Sequence, residues 1–185
     1  MQKQIRRKRK FQLFISLNKR YIATLWEAEE KNRKDAAKAE QVKKMIAIGC
    51  DHGGFELKQE IMKHLEERGF EFKDFGTYDT ASTDYPIYAK KVAQAITEGE
   101  CERGILICGT GIGISIAANK IKGIRCALCT DCFMAEATRQ HNNANILALG
   151  GRVVGAGLAL KIVDTFLDTP FSNDERHIRR IEGIE

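Results

Sequence analysis

Short apolar runs alternate with amphipathic segments from residue 45 to the end of the chain. The apolar runs predict five buried strands, at 45–49, 70–75, 104–108, 124–129 and 146–149. The segments between them predict helices, since their apolar positions recur at helical spacing, as Leu57, Ile61 and Leu65 do. Strands that alternate with helices indicate an α/β fold. We therefore expect a Rossmann-like three-layer sandwich with a five-stranded parallel sheet.

Glycine, proline and capping residues predict where the helices begin and end. Gly69 ends the first helix, at 55–68, and Pro86 is tolerated in the first turn of the second, which ends near 97. The later helices are predicted from the glycines at 109–113 to about 120, at 131–141, at 156–167 and at 172–184.

Residues 1–44 differ in texture from the rest and are predicted to be a separate basic, helical or disordered extension of the domain at 45–185. They hold 14 Lys/Arg against 5 Asp/Glu, a balance of +9, whereas the remaining 141 residues carry −4. Such an arm could grip RNA, DNA or an anionic surface. The interpretation we favour is an appendage, produced by translation that starts upstream of Met45.

Length and composition bound the remaining possibilities. A chain of 185 residues with 43% hydrophobic residues can bury one substantial core. Its apolar runs fall short of the roughly 20 residues that span a bilayer, so no membrane partner is expected. The six cysteines lie in predicted strands and helices of an ordinary-sized domain, which favours reduced thiols and a cytoplasmic location.

Polar side chains collect at three predicted element ends. The first strand ends in Cys50, Asp51 and His52, the third ends in Cys108 before the glycine-rich turn 109–113, and a helix closes on residues 139–142. In open parallel sheets ligands bind beyond the carboxyl ends of the strands. Together the three ends would supply a thiol, an acid, two imidazoles and a nest of amides.

The turn at 109–113 would let backbone N–H groups face an anion or a developing oxyanion. A position just before the following helix would favour the thiolate of Cys108 and make it usable as a base or nucleophile. Free cysteines are also common as small buried apolar residues. The residues alone leave these two interpretations open.

Three further patterns are weaker. Gly109-x-Gly111-x-Gly113 is not the spacing of a dinucleotide site. Cys126 and Cys129 would point to opposite sheet faces, so no metal site is expected. Arg176 and Arg180 share a helix face that would suit a phosphate, but the residues alone favour a solvated charged helix.

Several ordered motifs together resemble the ribose-5-phosphate isomerase B family, which includes the galactose-6-phosphate isomerase subunits. They are Gly49-Cys-Asp-His-Gly53, Thr83-Asp-Tyr-Pro86, Gly104-Ile-Leu-Ile-Cys-Gly-Thr-Gly-Ile-Gly-Ile-Ser115, Arg139-Gln-His-Asn142 and Arg176-His-x-x-Arg180. The resemblance spans residues 45–185 and leaves out residues 1–44.

The resemblance implies interconversion of ribose 5-phosphate and ribulose 5-phosphate in the pentose phosphate pathway, through an enediolate and without metal or organic cofactor. Cys108 would move the proton, and His141, helped by Asp51, would open the sugar ring. Thr110 and the amides of the turn would stabilise the enediolate oxygens. The implied enediolate amides are those of Gly109, Gly111 and Gly113, and the implied phosphate ligands are His52, Arg152, Arg176 and Arg180. Some family members use a glutamate as the base instead and lack this cysteine.

The resemblance also implies a homodimer, or a tetramer built from it, in which His141, Asn142 and the C-terminal arginines reach the partner's active site.

Two rival functions remain open. One is isomerisation of a six-carbon sugar phosphate, such as allose or galactose 6-phosphate. The other is a non-catalytic nucleotide- or RNA-binding module, although nucleic acid is not the expected partner.

Overall fold

The computed structural model describes Trp26, Glu30, Lys31, Arg33 and residues 45–185. The chain divides into two compact units, Met1–Gln41 and Val42–Glu185. The predicted extension at 1–44 lies outside the described residues apart from those first four, which are helical, so the domain boundary stays a prediction. Among the described residues, no helix has both the length and the apolar character needed to cross a membrane.

Five parallel strands form one sheet, in the order β2-β1-β3-β5-β4. The strands are β1 (Ile46–Cys50), β2 (Phe72–Asp74), β3 (Arg103–Cys108), β4 (Cys126–Leu128) and β5 (Ile146–Gly150). In the centre, β3 pairs with β1 from Arg103 onward and with β5 from Gly104 to Cys108. The predicted five-stranded parallel sheet is confirmed.

Two apolar cores lie on the two faces of this sheet. The helices are α1 (Phe55–Glu67), α2 (Tyr85–Thr97), α3 (Ile112–Ala118), α4 (Cys132–Asn142), α5 (Ala156–Asp168) and α6 (Glu175–Glu182). Ile105 and Ile107 face the core that contains residues of α1, α4 and α5. Leu106 and Cys108 face the core that contains residues of α2 and α3. The alternation of strand side chains thus produces the predicted three layers.

Cys126 and Cys129 also lie in different cores, Cys126 with the α2 and α3 residues and Cys129 on the other face. The two sulfurs therefore face away from one another across the sheet. This is the arrangement that strand alternation predicts for them.

Three elements differ from the sequence prediction. The edge strands β2 and β4 have three residues each instead of six, and each pairs with only the first three residues of its neighbour, β1 or β5. The last helix begins at Glu175 and not at Ser172. Asn173 adopts a left-handed φ of 58°, which interrupts a helix, and Asp174 then has extended N-cap geometry.

Candidate active site

The loops that follow β1, β3 and β5 meet at the carboxyl edge of the sheet. The Asp51 N–H donates to the Ile107 carbonyl oxygen at 3.1 Å, and the Gly151 N–H donates to the Cys108 carbonyl oxygen at 2.8 Å. The Arg152 N–H donates to the Gly109 carbonyl oxygen at 3.0 Å. Main-chain hydrogen bonds therefore fix the relative positions of all three loops.

Glycines allow these loops to touch through their backbones. A Cβ on Gly151 would lie 2.6 Å from the Gly53 carbonyl oxygen, and one on Gly53 would lie 3.0 Å from the Gly109 nitrogen. Both contacts are to backbone atoms, which cannot move away as a flexible side chain can. Neither position therefore has space for a side chain. The close contact brings together the loops that carry Asp51, His52 and Cys108.

Cys108 ends β3 with its side chain almost fully buried, at 4% exposure. Its Sγ accepts a hydrogen bond from the Gly111 N–H at 3.1 Å. This contact requires the left-handed turn at Gly111, whose φ is 77°. A backbone N–H directed at sulfur supports negative charge there, as a base or nucleophile needs.

In four other buried cysteines the effect of burial on the thiol dominates. Burial raises the pKa of Cys50 and of Cys129 to about 12, that of Cys101 to about 11, and that of Cys126 still further. All four remain protonated thiols at neutral pH and serve as small apolar residues of the core.

Thr110 lies on the turn after Cys108, and Gly113 lies in the first turn of α3. Thr110 is exposed, and its Oγ1 accepts a hydrogen bond from the Ile112 N–H at 3.3 Å. The Tyr85 ring lies against Gly113, where an added Cβ would be 2.6 Å from the ring's Cζ. An aromatic side chain from α2 thus borders the turn.

Asp51 and His52 are held by different groups. Asp51 is 6% exposed, and its Oδ1 accepts from the Gly53 N–H at 2.9 Å. The Nδ1 of His52 accepts from the Thr83 N–H at 3.2 Å. The neutral His52 ring therefore carries its proton on Nε2, the nitrogen that remains for a ligand.

Arg152 is exposed, and its guanidinium lies over Gly109, about 3.7 Å from where a Cβ would be. The carboxyl-edge cluster, meaning Asp51, His52, Cys108, Thr110 and Arg152, therefore combines a thiol, a carboxylate, an imidazole, a hydroxyl and a cation. The cluster therefore contains groups suited to acid-base chemistry as well as groups that can bind an anion.

The other predicted site residues form the α4–α6 cluster, namely His141, Asn142, Arg176 and Arg180, and all four are exposed. The His141 ring lies 4.5 Å from the ring of His177, measured between centroids. His177 is buried, and its Nδ1 is 2.7 Å from Ser172 Oγ. Burial lowers the pKa of His177, with contributions from Arg176 and His141, which favours its neutral form.

Arg139 anchors the end of α4 on which His141 and Asn142 lie. Its Nη1 donates to Asn143 Oδ1 at 2.9 Å and to the Ala144 carbonyl oxygen at 2.5 Å. Burial lowers the pKa of Arg139 to about 10, so it remains charged at neutral pH. The fixed helix end presents the next side chains of α4 outward.

Within one chain the two clusters lie at opposite ends of the strands, one near the amino ends and the other at the carboxyl ends. The Asn142 carbonyl oxygen accepts from the side chain of Arg125, the residue just before β4. Cys108 lies at the other edge, where it pairs with Gly150, the last residue of β5. A five-residue strand is roughly 16 Å long. The fold thus brings together the residues at strand ends and leaves His141 and Asn142 apart from them.

Three residues near the clusters had no role in the sequence prediction. Thr83 and Tyr85 belong to a motif that carried the family resemblance but suggested no contact. Lys58 falls on a helix that the pattern alone predicts to be half solvated, yet it is fully buried. Only the strand order, which brings β2 beside β1, places its partner Asp74 within reach.

The fold and the carboxyl-edge cluster define an open parallel α/β protein whose polar groups gather where such sheets bind small ligands. The model of a family described as Ribose/Galactose Isomerase matches residues 46–184. The chain therefore belongs to the ribose/galactose isomerase family.

Individual relatives resemble most of the chain. Ribose-5-phosphate isomerase B of Escherichia coli (strain K12) is 55% identical over 141 residues, which cover 76% of this chain and 94% of that protein. The galactose-6-phosphate isomerase subunit LacB of Clostridium acetobutylicum is 42% identical over 141 residues, or 76% and 82% of the two chains. The solved structure of Clostridium thermocellum ribose-5-phosphate isomerase B is 58% identical with a TM-score of 0.75, covering 76% and 94%.

Proposed function

We propose that the chain is an aldose-ketose isomerase that interconverts ribose 5-phosphate and ribulose 5-phosphate. The observation that carries this function is the Cys108 sulfur, which accepts a main-chain N–H within a cluster that also presents Asp51 and His52. The identity to a ribose-5-phosphate isomerase B across nearly its whole length supports the same substrate.

Isomerisation requires one proton to move between neighbouring carbons. The thiolate of Cys108 takes the proton from C2, the C–H electron pair forms the C1–C2 double bond of an enediolate, and the π electrons of the C1 carbonyl move onto O1. The resulting thiol returns the proton to C1 while the hydroxyl proton passes from O2 to O1 and the C2 carbonyl forms, which completes the ketose. Because the Gly111 N–H is directed at sulfur, stabilisation of the enediolate oxygens falls mainly to Thr110 and the other amides of the turn.

The sugar reaches this step as an open chain, so the ring must open first. His141, helped by Asp51, performs the acid-base step that opens the furanose. Cationic and donor groups take the phosphate, namely His52, Arg152, Arg176 and Arg180. The Nε2–H of His52 suits this role because its Nδ1 already accepts from Thr83.

We further propose a homodimer in which each active site combines the carboxyl-edge cluster of one chain with the α4–α6 cluster of the other. The separation of the two clusters within one chain supports this. Exposed apolar side chains around the carboxyl edge also suit a contact between copies. They are Ile112, Phe133, Met134, Val153 and Leu158.

Isomerisation of a six-carbon sugar phosphate is the second candidate. The 42% identity to a galactose-6-phosphate isomerase subunit favours it. Cys108 and Thr110 occur in this chain together with His141 and Asn142, so one kind of subunit supplies every proposed group. A self-sufficient homodimer suits the pentose substrate better.

A cytoplasmic location is part of the same proposal. All six cysteines are free thiols, and five of them are buried. Thiols in this state are typical of a reducing compartment, where phosphorylated sugars are also found.

The direct test is isomerisation of ribose 5-phosphate, allose 6-phosphate and galactose 6-phosphate by purified protein in a chelator. Efficient turnover of the pentose, with kcat/KM well above that for either hexose, supports the proposal. Preference for a hexose phosphate assigns the second candidate. A folded dimer that turns over none of the three sugars contradicts both.

A further inference from the structure

Lys58, in α1, is a fully buried charged side chain outside both clusters. Its Nζ donates to Asp74 Oδ1 at 2.8 Å, to Asp74 Oδ2 at 2.7 Å and to the Thr77 carbonyl oxygen at 2.7 Å. An ammonium has three hydrogens, and these three contacts can use all of them. A buried charge that is fully partnered holds its neighbours in one geometry.

The backbone held by Lys58 lies beside Asp51. The Cys50 N–H donates to the Gly76 carbonyl oxygen at 2.6 Å, and the Thr77 N–H donates to the Cys50 carbonyl oxygen at 2.7 Å. Asp74 Oδ1 also accepts from the Gly76 N–H at 2.9 Å. Lys58 and Asp74 together fix the start of the loop 75–84 against the last residue of β1.

The far end of the same loop reaches His52. The Thr83 N–H donates to His52 Nδ1, and Thr83 Oγ1 lies 3.0 Å from the hydroxyl of Tyr88, a buried residue of α2. The loop is therefore fixed by Lys58 near its start and by Tyr88 near its end. The His52 tautomer depends on the loop remaining between these two anchors.

We propose that Lys58 is a positioning residue, which holds the loop 75–84 so that the Thr83 N–H keeps His52 in its Nε2–H tautomer. His52 then offers a preformed donor to an oxygen of the substrate phosphate. The phosphate rests on the proposed function, whereas the tautomer does not. Loss of Lys58 removes the donor to the Thr77 carbonyl oxygen and the cation beside Asp74, whose carboxylate keeps only its bond from the Gly76 N–H among those described, and the loop moves away from His52.

Lys58→Met tests this because it removes the ammonium and keeps the length of the side chain. We expect ¹⁵N NMR to show His52 Nδ1 unprotonated in the neutral wild-type ring and partly protonated in the variant. We also expect KM for ribose 5-phosphate to rise about tenfold while kcat changes by less than about threefold, the split produced by lost ground-state binding.

Two further variants keep the test decisive. Lys58→Met/Asp74→Asn removes the unpaired carboxylate that would destabilise the single variant, and it should show the same tautomer change. Arg68→Met is the matched control, since Arg68 also lies beside α1 and makes three hydrogen bonds to the carboxylates of Asp164 and Asp168, away from His52. It should lower stability and leave both KM and the tautomer unchanged.

An unchanged His52 tautomer in either folded Lys58 variant would overturn the proposal, as would an equal rise in KM in Arg68→Met. If the wild type isomerises no sugar phosphate, the proposed function fails. The tautomer measurement still decides the role of Lys58 in that case, because NMR reads it without turnover.

Discussion

The carboxyl-edge cluster and the α4–α6 cluster are built in different ways. In the first, main-chain hydrogen bonds join three loops, and Cys108, Asp51 and His52 each accept from a backbone N–H. In the second, exposed side chains project from two helices beside the buried His177. The first cluster is joined by main-chain contacts within its own chain, whereas the second projects outward on exposed side chains, as the proposed dimer requires.

Of the changes predicted for the two clusters, replacing Cys108 should have the largest effect on activity. Removal of a general base typically costs about 10²–10⁴-fold in rate, so we expect kcat of Cys108→Ala to fall within that range with little change in KM. Cys101→Ala is the control because Cys101 is equally buried in the same core. Full activity in Cys108→Ala, measured in the ribose 5-phosphate assay, would show that another group is the base.

Mixing two inactive variants tests whether the clusters act across chains. Cys108→Ala and His141→Asn chains, unfolded and refolded together, should form dimers with one intact site among two. Random pairing then restores about a quarter of wild-type activity. The same variants refolded separately are the controls. If the mixture shows only the activity expected from the two variants refolded separately, the two clusters do not form one site across chains.

Gly111 tests the rigidity of the carboxyl-edge cluster. A Cβ there would lie 2.5 Å from Leu128 Cδ1 and 2.9 Å from the carbonyl carbon of Leu149, in addition to the strain of a positive φ. We expect Gly111→Ala to lower the free energy of unfolding by about 3 kcal/mol. Urea denaturation measures this change.

Gly99→Ala is the matched control for that experiment. Gly99 has a φ of 72° and open space around its Cβ position. Backbone strain alone should cost about 1 kcal/mol. Equal losses for the two variants would mean that packing around Gly111 adds nothing.

The smallest effect concerns His177 in the α4–α6 cluster. Its pKa is lowered from the usual 6.5 by burial and by Arg176, so the unfolded chain binds the proton first as the pH falls. Stability from His177 is therefore present above the usual pKa and is lost progressively below it. An NMR titration of the ring should give a midpoint below 6.5, and His177→Gln should lose less stability between about pH 7 and about pH 5. A midpoint at or above 6.5 would contradict the buried, neutral assignment.

The sequence predicts the carboxyl-edge cluster better than the contacts between distant segments. Cys108 and the glycines after it are adjacent in sequence, so periodicity and the rule for strand ends suffice to place them. The pairing of His141 with His177 joins residues 36 positions apart, and the burial of Lys58 depends on Asp74 in a neighbouring strand. Neither contact has a local periodic signal, because both follow from tertiary packing.

The two three-residue edge strands have a consequence for how the protein can associate. Among the described residues, the two edge strands β2 and β4 have three residues each, so each presents a short row of backbone donors and acceptors. A strand added from another molecule would find few bonds to make, so sheet-to-sheet polymerisation is disfavoured. We expect any self-association of this domain to be selected through side-chain surfaces, which can change by single substitutions without loss of the sheet.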